Sequence, residues 1–149
     1  MSIKDIVVKQ NTIYTLGTGT RTIGEFLDII KCKAVDVIVD VRRFPTSKFL
    51  HFKKENFAQA CVSHHVAYVY LGNELGGYRK GGYEEYSKTE EFQAGIEKLK
   101  LMAEKKVICI VCAETLPWRC HRRFIGHHLS AQGYEVIHII DEKHDWKTR

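Results

Sequence analysis

The stretch Val35-Asp-Val-Ile-Val-Asp-Val41 carries five β-branched apolar residues in seven and runs directly into Arg42-Arg43. Branched side chains of this kind pack well on a pleated surface. A run this apolar is read as a strand inside a parallel sheet covered on both faces. Parallel neighbours cannot be joined by a tight hairpin, so helical crossovers should flank it. Upstream, Asn11 to Leu16 (NTIYTL) alternates and β-branches like a first strand and stops at Gly17-Thr18-Gly19. Thr22-Ile-Gly-Glu25 then has the spacing of a capping box, and Ile23, Phe26, Leu27 and Ile30 carry a helical period down to about Lys33.

Downstream the unit repeats. Lys54 to Ser63 predicts a helix with Phe57, Ala60 and Cys61 inward, and Val66 to Leu71 (VAYVYL) a third strand. Ser87-Lys-Thr-Glu90 is a second capping box, opening a helix on Phe92, Ile96, Leu99 and Ala103. Val107 to Cys112 (VICIVC) is a fourth strand, Arg119 to Gln132 a fourth helix closed by Gly133, and Tyr134 to Ile140 a fifth strand. The expected fold is a single α/β domain over residues 1–149, with its core from about 12 to 141. It has a mainly parallel five-stranded sheet with crossover helices on both faces.

The composition agrees with one folded domain. At 149 residues with 44% hydrophobic and 28% charged residues, the chain is neither disordered nor fibrous in type. Its five cysteines are an odd number and Asp5 interrupts the opening residues, which have no basic, apolar leader. The expectation is a reduced, cytoplasmic protein without a disulfide framework. The longest apolar run, Val107 to Ala113, is far too short for a membrane span, so no membrane is expected as partner. A net charge of +5 suits an anionic ligand or nucleic acid and selects neither.

In open parallel sheets, ligands bind beyond the carboxyl ends of the strands. That rule singles out Thr18 to Arg21, then Asp40, Arg42 and Arg43, then Gly72 to Glu74, then Cys112 and Glu114. The densest segment is Cys112-Ala-Glu-Thr-Leu-Pro-Trp-Arg119-Cys120-His121-Arg122-Arg123. Positive side chains at a helix N-terminus oppose its dipole and call for a negative partner: Glu114, or a bound phosphate or carboxylate. The same field would favour the Cys112 thiolate. Cys112 is therefore the candidate nucleophile, with Glu114 or Asp40 moving the proton and Arg42, Arg43, Arg119 and Arg122 holding the anion. A strand, a Cys and an Arg-led helix is also the arrangement of cysteine phosphatases and rhodanese-like sulfurtransferases. Here six residues separate Cys112 from Arg119, one more than in the phosphatase loop, and there is no central Gly.

Two connections exceed ordinary turns, Arg42 to Lys53 and Gly72 to Tyr86. The second mixes Gly76-Gly77 and Gly81-Gly82 with Glu74, Tyr78, Arg79 and Tyr83, a composition suited to a lid that stacks on a base while Arg79 meets phosphate. Cys112, Cys120 and His121 have no fourth partner at a metal-site spacing, and the expectation is neither metal nor cofactor. Cys109 and Cys112, three apart on a strand, face opposite sides and are not a redox pair. Cys32 and Cys61 are read as core-facing, and His64, His65, His127, His128 and His138 as structural.

Taken in order, Tyr14-Thr-Leu-Gly17, Val39-Asp40-Val-Arg42-Arg43-Phe-Pro45, His51-Phe-Lys53, Glu74-Leu-Gly-Gly77, Cys112-Ala-Glu114 and Cys120-His-Arg122 resemble the domain-of-unknown-function family 488. The resemblance covers about Ile13 to Asp141. It implies an α/β domain whose shared polar residues (Asp40, Arg42, Arg43, Glu74, Cys112, Glu114, Cys120, His121 and Arg122) gather near one edge of the sheet, without supplying a reaction. Members commonly follow the first-strand Gly with a His-Ser pair, where this chain has Thr18-Gly19. The functional expectation is a phosphate-bearing or other anionic small-molecule ligand, a nucleotide among the options. The alternative is a non-catalytic nucleic-acid-binding module using the same cations along phosphates.

Overall fold

A computed structural model describes residues 11–45 and 49–147. Its sheet has strands β1 (Thr12–Gly17), β2 (Val37–Asp40), β3 (Ala67–Tyr70), β4 (Ile108–Cys112), β5 (Glu135–Ile139) and β6 (Asp145–Lys147). The helices are α1 (Ile23–Cys32), α2 (Lys54–Ser63), α3 (Gly72–Leu75), α4 (Tyr83–Tyr86), α5 (Glu90–Ala103) and α6 (Arg122–Ala131), with 3-10 turns at Leu50–Phe52 and Pro117–Arg119. The strand order is β3-β2-β4-β1-β5-β6. The first five strands pair in parallel, and β6 closes the edge antiparallel to β5. The mainly parallel α/β architecture is as the sequence implies, with one strand more. That sixth strand is three residues long and exposed throughout, so it carries no apolar pattern that a sequence reading could detect.

Alternation divides the interior in two. On β2 and β4, Val37, Val39, Ile108, Ile110 and Cys112 face Phe92, Ile96 and Leu99 of α5 and Ile125 and Leu129 of α6. Ile38, Cys109 and Val111 face Phe26 and Ile30 of α1 and Phe57 and Cys61 of α2. Both faces of the central strands are therefore covered, which is why they read as unbroken apolar runs. Cys109 and Cys112 fall on opposite sides of the sheet.

Helix starts follow local chemistry. Thr22 caps α1 with a complete capping box to Glu25, the Thr22 Oγ1 accepting from Glu25 N–H at 3.0 Å. The cap of α5 is Thr89, not Ser87: Thr89 Oγ1 accepts from Phe92 N–H, and the Ser87 hydroxyl donates instead to the Glu84 carbonyl within α4. The fourth long helix begins at Arg122, three residues later than expected, because Pro117 first sets a separate 3-10 turn. Arg119 thus lies before the helix. Cys32, expected inward, is exposed at the end of α1.

Phe26, Phe52 and Phe57 pack edge-to-face with ring centroids 5.2–5.4 Å apart, all fully buried. This trio joins α1 and α2 to the turn after β2. Phe57→Ala should cost about 3–5 kcal/mol, measured as a lowered urea midpoint at unchanged m-value; a loss below about 1 kcal/mol would contradict this packing.

Candidate functional site

The carboxyl ends of β2 and β4 are neighbours, with Asp40 opposite Val111, and those of β4 and β1 pair Cys112 with Gly17. Beyond β4 the chain folds back across the end of β1: Thr18 N–H donates to the Cys112 carbonyl at 2.8 Å and Gly19 N–H to that of Ala113 at 2.9 Å. A side chain at Gly17 would place its Cβ 2.0 Å from the Glu114 carbonyl oxygen, so only glycine admits this crossing. Over these ends opens a cleft of about 570 Å³, lined by the loops after β2, β3 and β4. That volume suits a small-molecule ligand.

The cleft contains two thiols. Cys112, 1% exposed at the last position of β4, and Cys120, 8% exposed just before α6, have their Sγ atoms 2.8 Å apart. Behind them lies Arg122, fully buried. Its guanidinium donates to the carbonyls of Glu114 (3.0 Å) and Thr115 (2.8 Å) and to Thr15 Oγ1 (3.0 Å), while its Nε is buried without a partner among the described residues. No carboxylate is paired with it among the described ion pairs. Burial by itself would raise the Cys112 thiol, but the hydrogen bond from Cys120, the Arg122 charge and the Glu114 backbone outweigh it and bring Cys112 below the ordinary thiol range. The Cys120 thiol is driven up, first by that same hydrogen bond and then by burial. Cys120 thus donates to Cys112, whose Sγ lies in turn 3.5 Å from the Glu114 carbonyl.

His121 extends this arrangement. Its Nε2 lies 3.2 Å from the Val41 carbonyl and so carries the hydrogen, which leaves the Nδ1 lone pair facing Cys120 Sγ at 3.6 Å. Burial, with the charges of Arg122 and Arg79, lowers His121 to about 4 and keeps it neutral near pH 7. Gly77 packs on the same ring, where a Cβ would sit 3.1 Å from Nδ1. Tyr83 covers the ring's other side at 5.1 Å between centroids and anchors its hydroxyl on the Leu75 carbonyl at 2.6 Å.

Glu114, Arg119, Arg43, Phe44 and Tyr78 complete the wall. Glu114 Oε1 accepts from Leu116 N–H at 3.1 Å, which shapes the loop and aims the carboxylate at the cleft rim. Arg119 is exposed and makes no ion pair or side-chain hydrogen bond among the described residues. Arg43 holds the Tyr78 carbonyl at 2.6 Å, and the exposed rings of Phe44 and Tyr78 lie 6.0 Å apart at the mouth.

Four other expected site residues have different surroundings. Asp40 is adjacent to the thiol strand but points to the opposite face of the sheet, because it stands level with Val111 rather than Cys112. Its carboxylate is fully buried, with Oδ1 and Oδ2 each 2.9 Å from the Arg42 guanidinium and Oδ2 also accepting from Tyr68. Arg42, which also lines the cleft, gives a further N–H to the Phe52 carbonyl at 2.7 Å, so the pair ties the exit of β2 to the turn that follows as a strut. Glu74 lies outside the cleft and bonds Lys98 of α5 at 2.6 Å. Arg79 lines the cleft but donates to the Gly76 and Asn73 carbonyls and stacks on Tyr86 at 3.9 Å, tying the glycine-rich loop to α3 and α4. Thr15 escaped sequence reading, although a buried Thr inside an apolar strand is a signal of an internal polar contact. Among the described residues no cluster of His, Cys, Asp and Glu is arranged to hold a metal.

Asp40→Ala strands a buried guanidinium and should cost about 3–5 kcal/mol, with Asp40→Leu/Arg42→Met losing far less than the two single variants together. Additive losses in a denaturation cycle would refute the strut. The pH dependence has a definite sign: His121 titrates near 6.5 when unfolded and at about 4 when folded, so the stability from its neutral form is complete above about pH 6.5 and drains as pH falls toward 4. His121→Gln should therefore narrow the gap between urea midpoints at pH 7 and pH 4.5; an unchanged gap would count against this burial.

No curated protein and no solved structure matches the chain. A family model does, described as a domain of unknown function, DUF488, and it aligns over residues 22–129, from the cap of α1 to the far half of α6. This span includes the Asp40–Arg42 strut, the thiol pair, His121 and the buried Arg122, and it covers well over half of the sequence: the chain belongs to the DUF488 family.

Proposed function

We propose that the cleft binds a phosphate-bearing or similarly anionic small molecule and presents it to the Cys112 thiolate. The observation that carries this reading is the fully buried Arg122 without a paired carboxylate beside a thiol that Cys120 hydrogen-bonds. A buried cation needs negative charge close by, and the thiolate supplies it. Arg119, uncommitted at the rim, and Arg43 at the mouth offer guanidinium forks to an entering oxyanion. Glu114 is placed to give or take a proton at the rim, and the Phe44 and Tyr78 rings suit a flat group attached to the anion, such as a nucleobase. A thiolate with an acid and a cation in one cleft is the equipment for nucleophilic attack on an electrophilic phosphorus, sulfur or carbonyl centre.

A nucleic-acid module is less well supported. Such modules track a backbone with a stripe of exposed cations, whereas Arg42, Arg79 and Arg122 are turned inward to acids and carbonyls. The reading sets the protein in a reducing compartment, the cytoplasm, where five free cysteines persist. Among the described residues no helix is long and apolar enough to cross a membrane.

Iodoacetamide should modify Cys112 readily at pH 7, and Cys120→Ala should slow that modification about tenfold, since it removes a hydrogen bond to a charged group worth about 1.5–3 kcal/mol. Millimolar phosphate should protect Cys112, and Arg119→Ala should abolish the protection. Equal rates with and without phosphate would overturn the anion site.

A further inference from the structure

Two sulfurs in one cleft invite two explanations, a soft metal or a reversible bond between them, and their spacing separates the two. Thiolates sharing a tetrahedral zinc at about 2.3 Å each would stand roughly 3.7 Å apart. Cys112 and Cys120 are at 2.8 Å. A disulfide needs about 2.05 Å, nearer to the observed separation than the spacing a shared zinc would set. Their surroundings are also unequal in the way such chemistry requires. Cys112 receives the hydrogen bond from Cys120, and only Cys120 has His121 Nδ1 beside it, 3.6 Å away. The other thiols have no such partner: Cys109 and Cys61 lie in the core on the far side of the sheet, and Cys32 is exposed on α1.

We propose that Cys112 and Cys120 form a peroxide-responsive pair, in which Cys112 is oxidised and Cys120 resolves it to a disulfide across the floor of the cleft, with His121 orienting the Cys120 thiol. In the first step the Cys112 sulfur gives an electron pair to the nearer oxygen of a hydroperoxide. The O–O bond breaks, the S–O bond of a sulfenic acid forms, and the second oxygen leaves as hydroxide or alkoxide and is protonated by solvent. In the second, the Cys120 sulfur, its S–H held by His121 Nδ1, attacks that of Cys112. The S–S bond forms as the S–O bond breaks, and the departing hydroxide takes the Cys120 proton and leaves as water. A dithiol reductant reverses the sequence by exchange. The disulfide consumes the thiolate, so it closes the cleft to nucleophilic chemistry while protecting Cys112 from irreversible oxidation. This rests on the thiolate of the reading above but not on its anion.

The test treats the full chain, in a Cys32→Ser background, with stoichiometric hydrogen peroxide and maps peptides without reduction. The expected product is a linked Cys112–Cys120 peptide pair that dithiothreitol releases. Cys120→Ser should stop at the sulfenic acid, with dimedone labelling Cys112 at least tenfold more than in the parent; Cys112→Ser should give neither product. His121→Gln should slow the linkage while leaving dimedone capture in the Cys120→Ser variant unchanged. Failure to form the Cys112–Cys120 link in the parent, or equal dimedone labelling with and without Cys120, would overturn the proposal. Phosphate protection against iodoacetamide reads the anion site separately, so a chain that forms the disulfide but shows no protection keeps this inference and loses the other.

Discussion

The site depends on a guanidinium buried without an acid. Arg122 is wholly withdrawn from solvent, and a charge in that position persists only if the surrounding atoms replace its hydration. Two carbonyls from the loop after β4 and a hydroxyl from β1 provide part of that, and the same charge lowers the Cys112 thiol. The same contacts hold the loop that begins at Cys112 against the end of β1, where Gly17 leaves room for it. They also reach deeper, because Thr15 Oγ1, while accepting from Arg122, lies 2.6 Å from His138 Nδ1. Sheet, loop and helix α6 are thus joined through one cation, and the chemistry of the cleft follows from how that cation is compensated.

The other arginines lining the cleft differ in how far the fold engages them. Arg42 is locked to Asp40 and Phe52 on the α1/α2 side, fixing the exit of β2 to the turn that follows. Arg79 is locked to the carbonyls at the end of α3, which turns a glycine-rich segment into a fixed wall instead of a free lid. Tyr83 and Tyr86 reinforce it through their hydroxyls, to Leu75 and Glu74 carbonyls. What remains facing the cavity is small in number: Arg119, the partly committed Arg43, the Glu114 carboxylate and the two sulfurs.

Strand content, the helical crossovers and the gathering of polar residues at the carboxyl ends were legible in the sequence, since they rest on local periodicity and on a rule about open parallel sheets. Helix α2 was read with its observed bounds. Helix α6 was read too early because a proline-led turn and a helix share the same short-range appearance until hydrogen bonds distinguish them. The antiparallel β6 was invisible because edge strands exposed on both faces need no apolar alternation.

The sequence by itself determined which residues end the strands and that cations, acids and a thiol would crowd there. Only the tertiary structure decided which of them meet. Asp40 and Cys112 sit on adjacent strands, yet a one-residue difference in register sends their side chains to opposite faces, so one pairs with Arg42 and the other lines the cleft. Cys120 lies eight positions beyond Cys112, and nothing in that spacing requires contact; the fold of the loop over Gly17 brings the two sulfurs together. The period of two fixes which side chains of one strand share a face, but register between strands and strand order are set by packing across the whole sheet and are not recoverable from the local run of residues.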